Sequence, residues 1–380
     1  MRLLLCIDHF GPGGAQRQLV ALAKGLHARG HQVEFFVYHP HIRHFAPQVE
    51  ALGIPIHAVE KPGRFSPAPI LALARLVRRL KPDAVLAYLP TPAVYAELAS
   101  LVNRRVPVVV SERFMYTSLS RLGRAQQELH RLASWITVNS HHQRERMEAL
   151  FPWMKGRLST IYNGVDLGVF APPAGGYAGG GPGEPLRLLA VASTAHKKNA
   201  LGLAKALGTL ARSGRDVRVA WAGVPTTPED EAAKAEVDAA LASEGVAGRW
   251  EWLGKRSDVP ELLRSHDALV HPAFFEGLPN AVCEALAAGL PVLASSVCDH
   301  PRLVTADRGL LFDPADPDDI AAAIARFADL PREERAAMAR AARYFAEREL
   351  ALERYAEEYE ALLARLAGRR GAGAALEAAS

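Results

Sequence analysis

A chain of 380 residues allows about two domains of ordinary size, and 49% hydrophobic with 23% charged residues is the balance of a globular protein, which excludes a disordered or fibrous chain. Three cysteines, Cys6, Cys283 and Cys298, are too few and too scattered for a disulfide framework or a zinc site, so a reducing cytoplasm is the expected setting. The net charge of +4 hides a split: residues 1–170 carry 21 Lys and Arg against 11 Asp and Glu, the remainder 24 against 30, so the first part suits an acidic partner, with a merely basic solvated surface as the alternative.

The opening run 1–7 stops at Asp8 and His9, too short for a secretory leader or a membrane span, and reads as the first buried strand. Short apolar runs then alternate with helical patterns twice over, which argues parallel sheets. Strands are expected at 3–7, 32–38, 54–59, 84–89, 106–110, 135–138 and 159–161, then at 187–192, 217–222, 250–253, 268–270, 291–294 and 309–312. The Pro- and Gly-rich stretch 171–185 cannot hold a regular element and is taken as the linker between a domain at 1–170 and another at 186–345. A last helix at 346–368 sets Tyr355, Tyr359, Leu362 and Leu366 on one apolar stripe, and 369–380 reads as a tail.

Chemistry concentrates at strand ends. After the first strand, Gly13 and Gly14 permit close approach of a phosphate to a helix start; the spacing is not that of a dinucleotide fingerprint, and a plain turn competes. Glu112 and Arg113 end the strand near 110, where open sheets place ligands; they are candidates to orient or deprotonate an acceptor, or a local ion pair. The strand near 187–192 runs into Val191-Ala-Ser-Thr-Ala-His-Lys-Lys-Asn199, where Ser193, Lys198 and Asn199 draw their candidacy from a family resemblance and not from spacing. In Leu253-Gly-Lys-Arg-Ser-Asp258, Ser257 or Asp258 suits a helix cap.

The richest stretch is His271-Pro-Ala-Phe-Phe-Glu-Gly-Leu-Pro-Asn-Ala-Val-Cys-Glu284. Pro279 suits the first helical position, so free amides near 278–281 open a helix beside Glu276 and attract phosphate. Gly277, Leu278 and Asn280 form that mouth, and Glu284, a turn and a half in, can accept hydroxyl hydrogen bonds. Together they suit a ligand that combines phosphate with sugar hydroxyls. No metal-ligand spacing is present.

This segment resembles the Glu, seven residues, Glu signature of the retaining glycosyltransferases of GT-B fold, family four. The Gly13–Gly14 loop, Val138-Asn-Ser140, Ile161-Tyr-Asn-Gly-Val-Asp166 and Leu253 to Leu263 resemble it too, so the likeness spans nearly the whole chain and is strongest over 253–294. The resemblance implies an α/β architecture of two doubly wound Rossmann-like domains facing across a cleft, with the terminal helix crossing back to the first. It implies no metal or resident cofactor, a UDP- or GDP-sugar as co-substrate, and transfer to a glycan, lipid-linked or lipopolysaccharide- or exopolysaccharide-type acceptor. Under it Glu276 faces the donor sugar, Glu284 the ribose, Lys198 and the helix mouth the diphosphate, Arg256 the nucleobase, and Gly13 and Gly14 the diphosphate and acceptor. Ala192 and Ser193 stand where the family has Gly and Arg; Lys197, His196 and Arg302 are candidates to supply the missing charge.

A nucleotide-sugar epimerase or phosphorylase of the same fold, or a sugar-binding protein without chemistry, are the competing functions. Arginines among apolar residues at 69–81, and aromatics beside Lys155 and Arg157, suit a peripheral contact with an anionic membrane at its inner face; packing of that helix in a doubly wound domain, and of the aromatic loop on its neighbour, are the alternatives. No nucleic-acid partner is expected.

Overall fold

The computed structural model describes residues 1–63, 66–113 and 119–377, with side chains to 368. It contains two compact α/β units, one of Met1–Gly164 with Leu352–Ser380 and one of Val165–Ala351.

The first unit holds β1 (Arg2–Cys6), β2 (Gln32–Val37), β3 (Ile56–Ala58), β4 (Ala84–Tyr88), β5 (Val108–Glu112), β6 (Trp135–Val138) and β7 (Leu158–Thr160). They form one parallel sheet of order β3-β2-β1-β4-β5-β6-β7. The second holds β8 (Leu186–Val191), β9 (Val217–Ala222), β10 (Trp250–Gly254), β11 (Ala268–His271), β12 (Val292–Ser295) and β13 (Gly309–Phe312), in the parallel order β10-β9-β8-β11-β12-β13. Helices cover both faces, which is why β1 and β4 read as unbroken apolar runs and not as alternation. Leu3, Leu5, Leu86 and Val109 pack on one face of the first sheet, and Leu4, Cys6, Val85 and Val108 on the other. In each sheet the strand order reverses once, between β1 and β4 and between β8 and β11, and the carboxyl ends flanking such a reversal are where open sheets bind ligands.

The unit boundary falls elsewhere than the Pro/Gly stretch. The chain leaves the first unit after Gly164 and returns at Leu352, and 171–185 lies inside the second unit. There the Tyr177 hydroxyl donates to Asp267 O at 2.8 Å, and Arg335 donates to Gly180 O at 2.9 Å. Pro and Gly bar regular structure but not docking.

The helix Leu352–Glu377 starts six residues later than expected and buries Tyr355, Tyr359, Leu362, Leu363 and Leu366 in the first unit's core. It lies so close to Gly164 that an added Cβ there would sit 2.9 Å from Leu352 and Tyr355. Gln18 completes the join, its Nε2 donating to Gly164 O and its Oε1 accepting from Gly164 N, each at 3.0 Å.

Candidate functional site

In the second unit β8 and β11 are neighbours at the reversal, so the loops leaving their carboxyl ends are brought together. The loop after β8 turns through His196–Lys198 and the loop after β11 carries Glu276. Phe274 N donates to Lys197 O at 2.9 Å, tying the loops by backbone. At Ala192 the second strand passes so near that a Cβ on Gly223 would lie 1.8 Å from Ala192 O, so only glycine fits.

Lys198 Nζ pairs with Glu276 Oε1, and His271 Nε2, from the last residue of β11, lies 3.1 Å from the same oxygen. The amide of Glu276 donates to Cys298 Sγ at 3.3 Å. Burial opposes the charge on Glu276, but His271 and Lys198 overcome it and hold the carboxyl well below its ordinary range. Behind His271 the ring of His300 stands edge-on, 5.3 Å between centroids. His300 is fully buried, with Nδ1 2.8 Å from Ser295 O; a carbonyl only accepts, so Nδ1 bears the hydrogen and Nε2 keeps a lone pair with no hydrogen-bond partner among the described residues. Burial first, and then His271, push His300 down to about 3, so it stays neutral.

The helix Asn280–Ala287 opens one residue later than expected. Pro279 has φ −76° but ψ 106°, which is extended, so it caps the helix instead of starting it. The amides of Asn280, Ala281 and Val282 therefore precede the first intrahelical bond, from Cys283 N to Pro279 O. Gly277 and the buried Leu278 form the approach, and Glu284 is buried within the helix. Ser193 is half-buried just beyond β8.

Several candidates are engaged within the protein. Asn199 adopts φ 56° and caps the helix Ala200–Arg212, its Oδ1 accepting from Gly202 N and its Nδ2 donating to Pro272 O and Pro314 O. Arg256 Nε donates to Asp258 Oδ1 at 2.7 Å; drawn to that guanidinium, Asp258 occupies the cap position of Val259–Ser265 but makes no capping bond. Arg302 reaches Asp299 at 3.2 Å, Lys197 lies over the Phe275 ring, and His196 stacks on Phe274.

In the first unit Gly13 caps the helix Gly14–Ala28 at φ −98°, a conformation that does not require glycine. Glu112 is fully buried, its Oε1 3.1 Å from His130 Nε2, while His130 Nδ1 is 2.6 Å from Glu97 Oε1. Burial opposes a charge on His130, but the two carboxylates push it up to about 10. Arg113 turns its guanidinium to Tyr88, Tyr355 and Tyr359 hydroxyls, Ser111 Oγ and Asn163 Oδ1, stacked on the Tyr88 ring at 4.3 Å. Ser140 caps His141–Leu150, a structural task for that motif. Of the apolar residues near 153, Phe151 and Met154 are core, which takes them out of the membrane-facing set, while Arg131 lies over the half-buried Trp153 ring at 4.4 Å. The helix Ala68–Leu80 does expose Leu71, Arg75, Arg78 and Arg79.

Sequence reasoning passed over His271, His300, Ser295, Cys298 and His130. A histidine ending an apolar strand looks like core, and only its place opposite Glu276 distinguishes it.

Among the described residues no group of three or more His, Cys, Asp or Glu is set to hold a metal, and no helix is long and apolar enough to cross a membrane.

The two Rossmann-like units make the GT-B fold. The solved structure of Anabaena Alr3699/HepE in complex with UDP superposes with a TM-score of 0.82 at 20% identity, over 96% of this chain and 100% of that one. Residues 12–169 match the model of Glycosyltransferase Family 4, and residues 179–345 that of Glycosyl transferases group 1. The chain belongs to the glycosyltransferases of GT-B fold. An Escherichia coli UDP-Gal:alpha-D-GlcNAc-diphosphoundecaprenol alpha-1,3-galactosyltransferase is 36% identical over 78 residues, 20% of either chain. The 2-deoxystreptamine glucosyltransferase of Streptomyces kanamyceticus is 30% identical over 146 residues, 37% of this chain and 36% of that one. The aligned stretches thus span about a fifth and about a third of these curated relatives.

Proposed function

We propose that the protein is a retaining, metal-independent glycosyltransferase that moves a sugar from a UDP- or GDP-sugar to a glycan or lipid-linked acceptor. The observation that carries the reading is the meeting of Lys198 and Glu276 at the strand-order reversal of the second sheet, a few residues ahead of the helix at Asn280. A departing nucleoside diphosphate gains negative charge as the glycosidic bond breaks. Lys198 and the amides at 280–282 offset that charge, Glu276 orients the sugar, and Glu284 accepts from the ribose hydroxyls; stabilisation of the developing charge is then the main catalytic effect. Ser193, Gly277 and Leu278 line the donor, and Arg256 faces the base after releasing Asp258.

Support for the donor comes from HepE, solved with UDP. Support for a lipid-linked acceptor comes from the diphosphoundecaprenol-dependent relative, while the 2-deoxystreptamine enzyme shows that a small-molecule acceptor also occurs among relatives. The basic first part and the exposed Leu71, Arg75, Arg78 and Arg79 suit a cytoplasmic protein held peripherally at an anionic membrane face.

The test is thermal stabilisation across a panel of nucleotide sugars, since a ligand at 100 times its dissociation constant adds about 2.7 kcal/mol. It is followed by release of free nucleotide and NMR of the product anomer. Release that depends on acceptor, with the donor's anomeric configuration kept, is expected. An inverted product removes the retaining assignment, release without transfer removes the transferase, and failure to sediment with anionic vesicles at low salt removes the membrane contact.

A further inference from the structure

We infer that His271 is a positioning residue that clamps one oxygen of Glu276, keeping the carboxylate in place when Lys198 turns to a bound diphosphate and leaving the other oxygen for the sugar. The inference rests on the donor-site reading of Glu276 and deepens it.

Lys198 and His271 converge on Oε1 of Glu276, and among the described residues none donates to Oε2. The last torsion of a glutamate is broad, so one contact from a long lysine does not fix the plane of the carboxylate. A second donor on a rigid ring does. His271 is such a ring: only 3% exposed, it ends β11 and is braced edge-on by His300, whose own orientation is set by Ser295 O and Oγ. The Ser295 hydroxyl in turn donates to Ala273 O, within the loop that carries Glu276. With the amide of Glu276 held on Cys298, backbone and carboxylate are fixed from different elements.

The division of labour follows from charge. A diphosphate competes with Glu276 for the single ammonium of Lys198, and the carboxylate would swing as that contact weakens. His271 is no closer competitor for phosphate, because its Nε2 faces the carboxylate and its ring is buried. The groups that face Glu276 and can titrate or carry charge are Lys198 from the turn after β8, His271 from β11, His300 from the helix His300–Leu303 and the Cys298 thiol before it.

The test compares His271→Phe, which keeps a ring and removes the donor, with His271→Gln, which restores an N–H at similar reach. Affinity for UDP and GDP alone is measured by calorimetry, and turnover of the nucleotide sugar is followed against pH. H271F is expected to bind the free diphosphates as wild type does and to lose kcat by about ten- to hundredfold, the value of a hydrogen bond to a charged group. Its acid limb should move to higher pH, and H271Q should recover most of both. Unchanged kcat and acid limb in H271F would overturn the inference, as would equal losses in H271F and H271Q that track melting temperature. If the wild-type protein binds no nucleotide sugar, the functional reading fails instead. The clamp is then judged by carbon-13 NMR titration of the Glu276 carboxyl in the free protein, which should rise in H271F and return in H271Q; an unmoved titration overturns it.

Discussion

Lys198 and Glu276 lie 78 residues apart in sequence and form an ion pair across the reversal point of the second sheet. Removing the ammonium by Lys198→Met leaves a mostly buried carboxylate supported by His271 alone. Because Glu276 is held below its ordinary range, its contribution to stability is present above the unfolded value of about 4.3 and is lost as pH falls through the folded one. K198M raises the folded value, so acid unfolding followed by circular dichroism should begin at higher pH. Affinity for UDP or GDP should fall about tenfold or more, since a hydrogen bond to a charged group is lost. Unchanged affinity would separate Lys198 from the diphosphate.

Glu284 supplies a second test of the donor pocket. It is buried within the helix Asn280–Ala287, which follows the loop that carries Glu276. A carboxylate that accepts from ribose hydroxyls discriminates against a deoxyribonucleotide, because the complex then lacks a hydrogen bond to a charged group. Wild-type protein should bind the ribonucleoside diphosphate about tenfold or more tightly than its deoxy counterpart, and Glu284→Ala should erase the difference. Equal affinity of the wild type for both would place the ribose elsewhere.

The thirteen strands among the described residues were legible chiefly where helices cover both faces, as at β1, β4 and β5, whose apolar runs end in polar turns; the three-residue strands β3 and β7 are only partly buried and rest on shorter signals. Their ends shifted by one or two residues, a strand edge being decided by backbone partners that sequence does not display. Lys198 and Glu276 were legible through their loops, but not the fact that His271 joins them, since five residues separate His271 from Glu276 and only the intervening turn folds one onto the other. The crossing at Gly164 was obscured for the opposite reason. Composition marks 171–185, whereas the point at which the chain leaves the first compact unit carries a glycine whose need is steric and set by Leu352 and Tyr355 far along the chain.

The buried Glu97–His130–Glu112 cluster predicts a pH dependence of stability at the alkaline side. With an unfolded value near 6.5 and a folded one of about 10, His130 contributes fully below the unfolded value, and the contribution declines as pH rises toward 10. Glu97→Gln removes one of the two carboxylates, so the decline should finish at lower pH. Urea unfolding measured at intervals from neutral to alkaline pH reads both, and a profile of E97Q that matches wild type would show that His130 is not charged in the folded protein.

Arg113 separates an acceptor-binding role from a structural one. Its guanidinium spends its donors on three tyrosine hydroxyls, Ser111 and Asn163, joining the ends of β4 and β5 to the helix Leu352–Glu377 and to the segment that leaves the unit. Lysine keeps the charge but cannot reproduce the fork. Arg113→Lys should therefore cost about 2 kcal/mol or more, because buried hydroxyls and a charged group lose their pairing. The loss should appear as a lower urea midpoint at unchanged m-value, with Tyr355→Phe in the same direction and smaller. An acceptor-binding Arg113 would instead raise the acceptor KM while the midpoint stayed in place. Because the cage sits where the terminal helix docks, limited proteolysis should cut R113K sooner near residue 352 if the structural role holds, and at the wild-type rate if it does not.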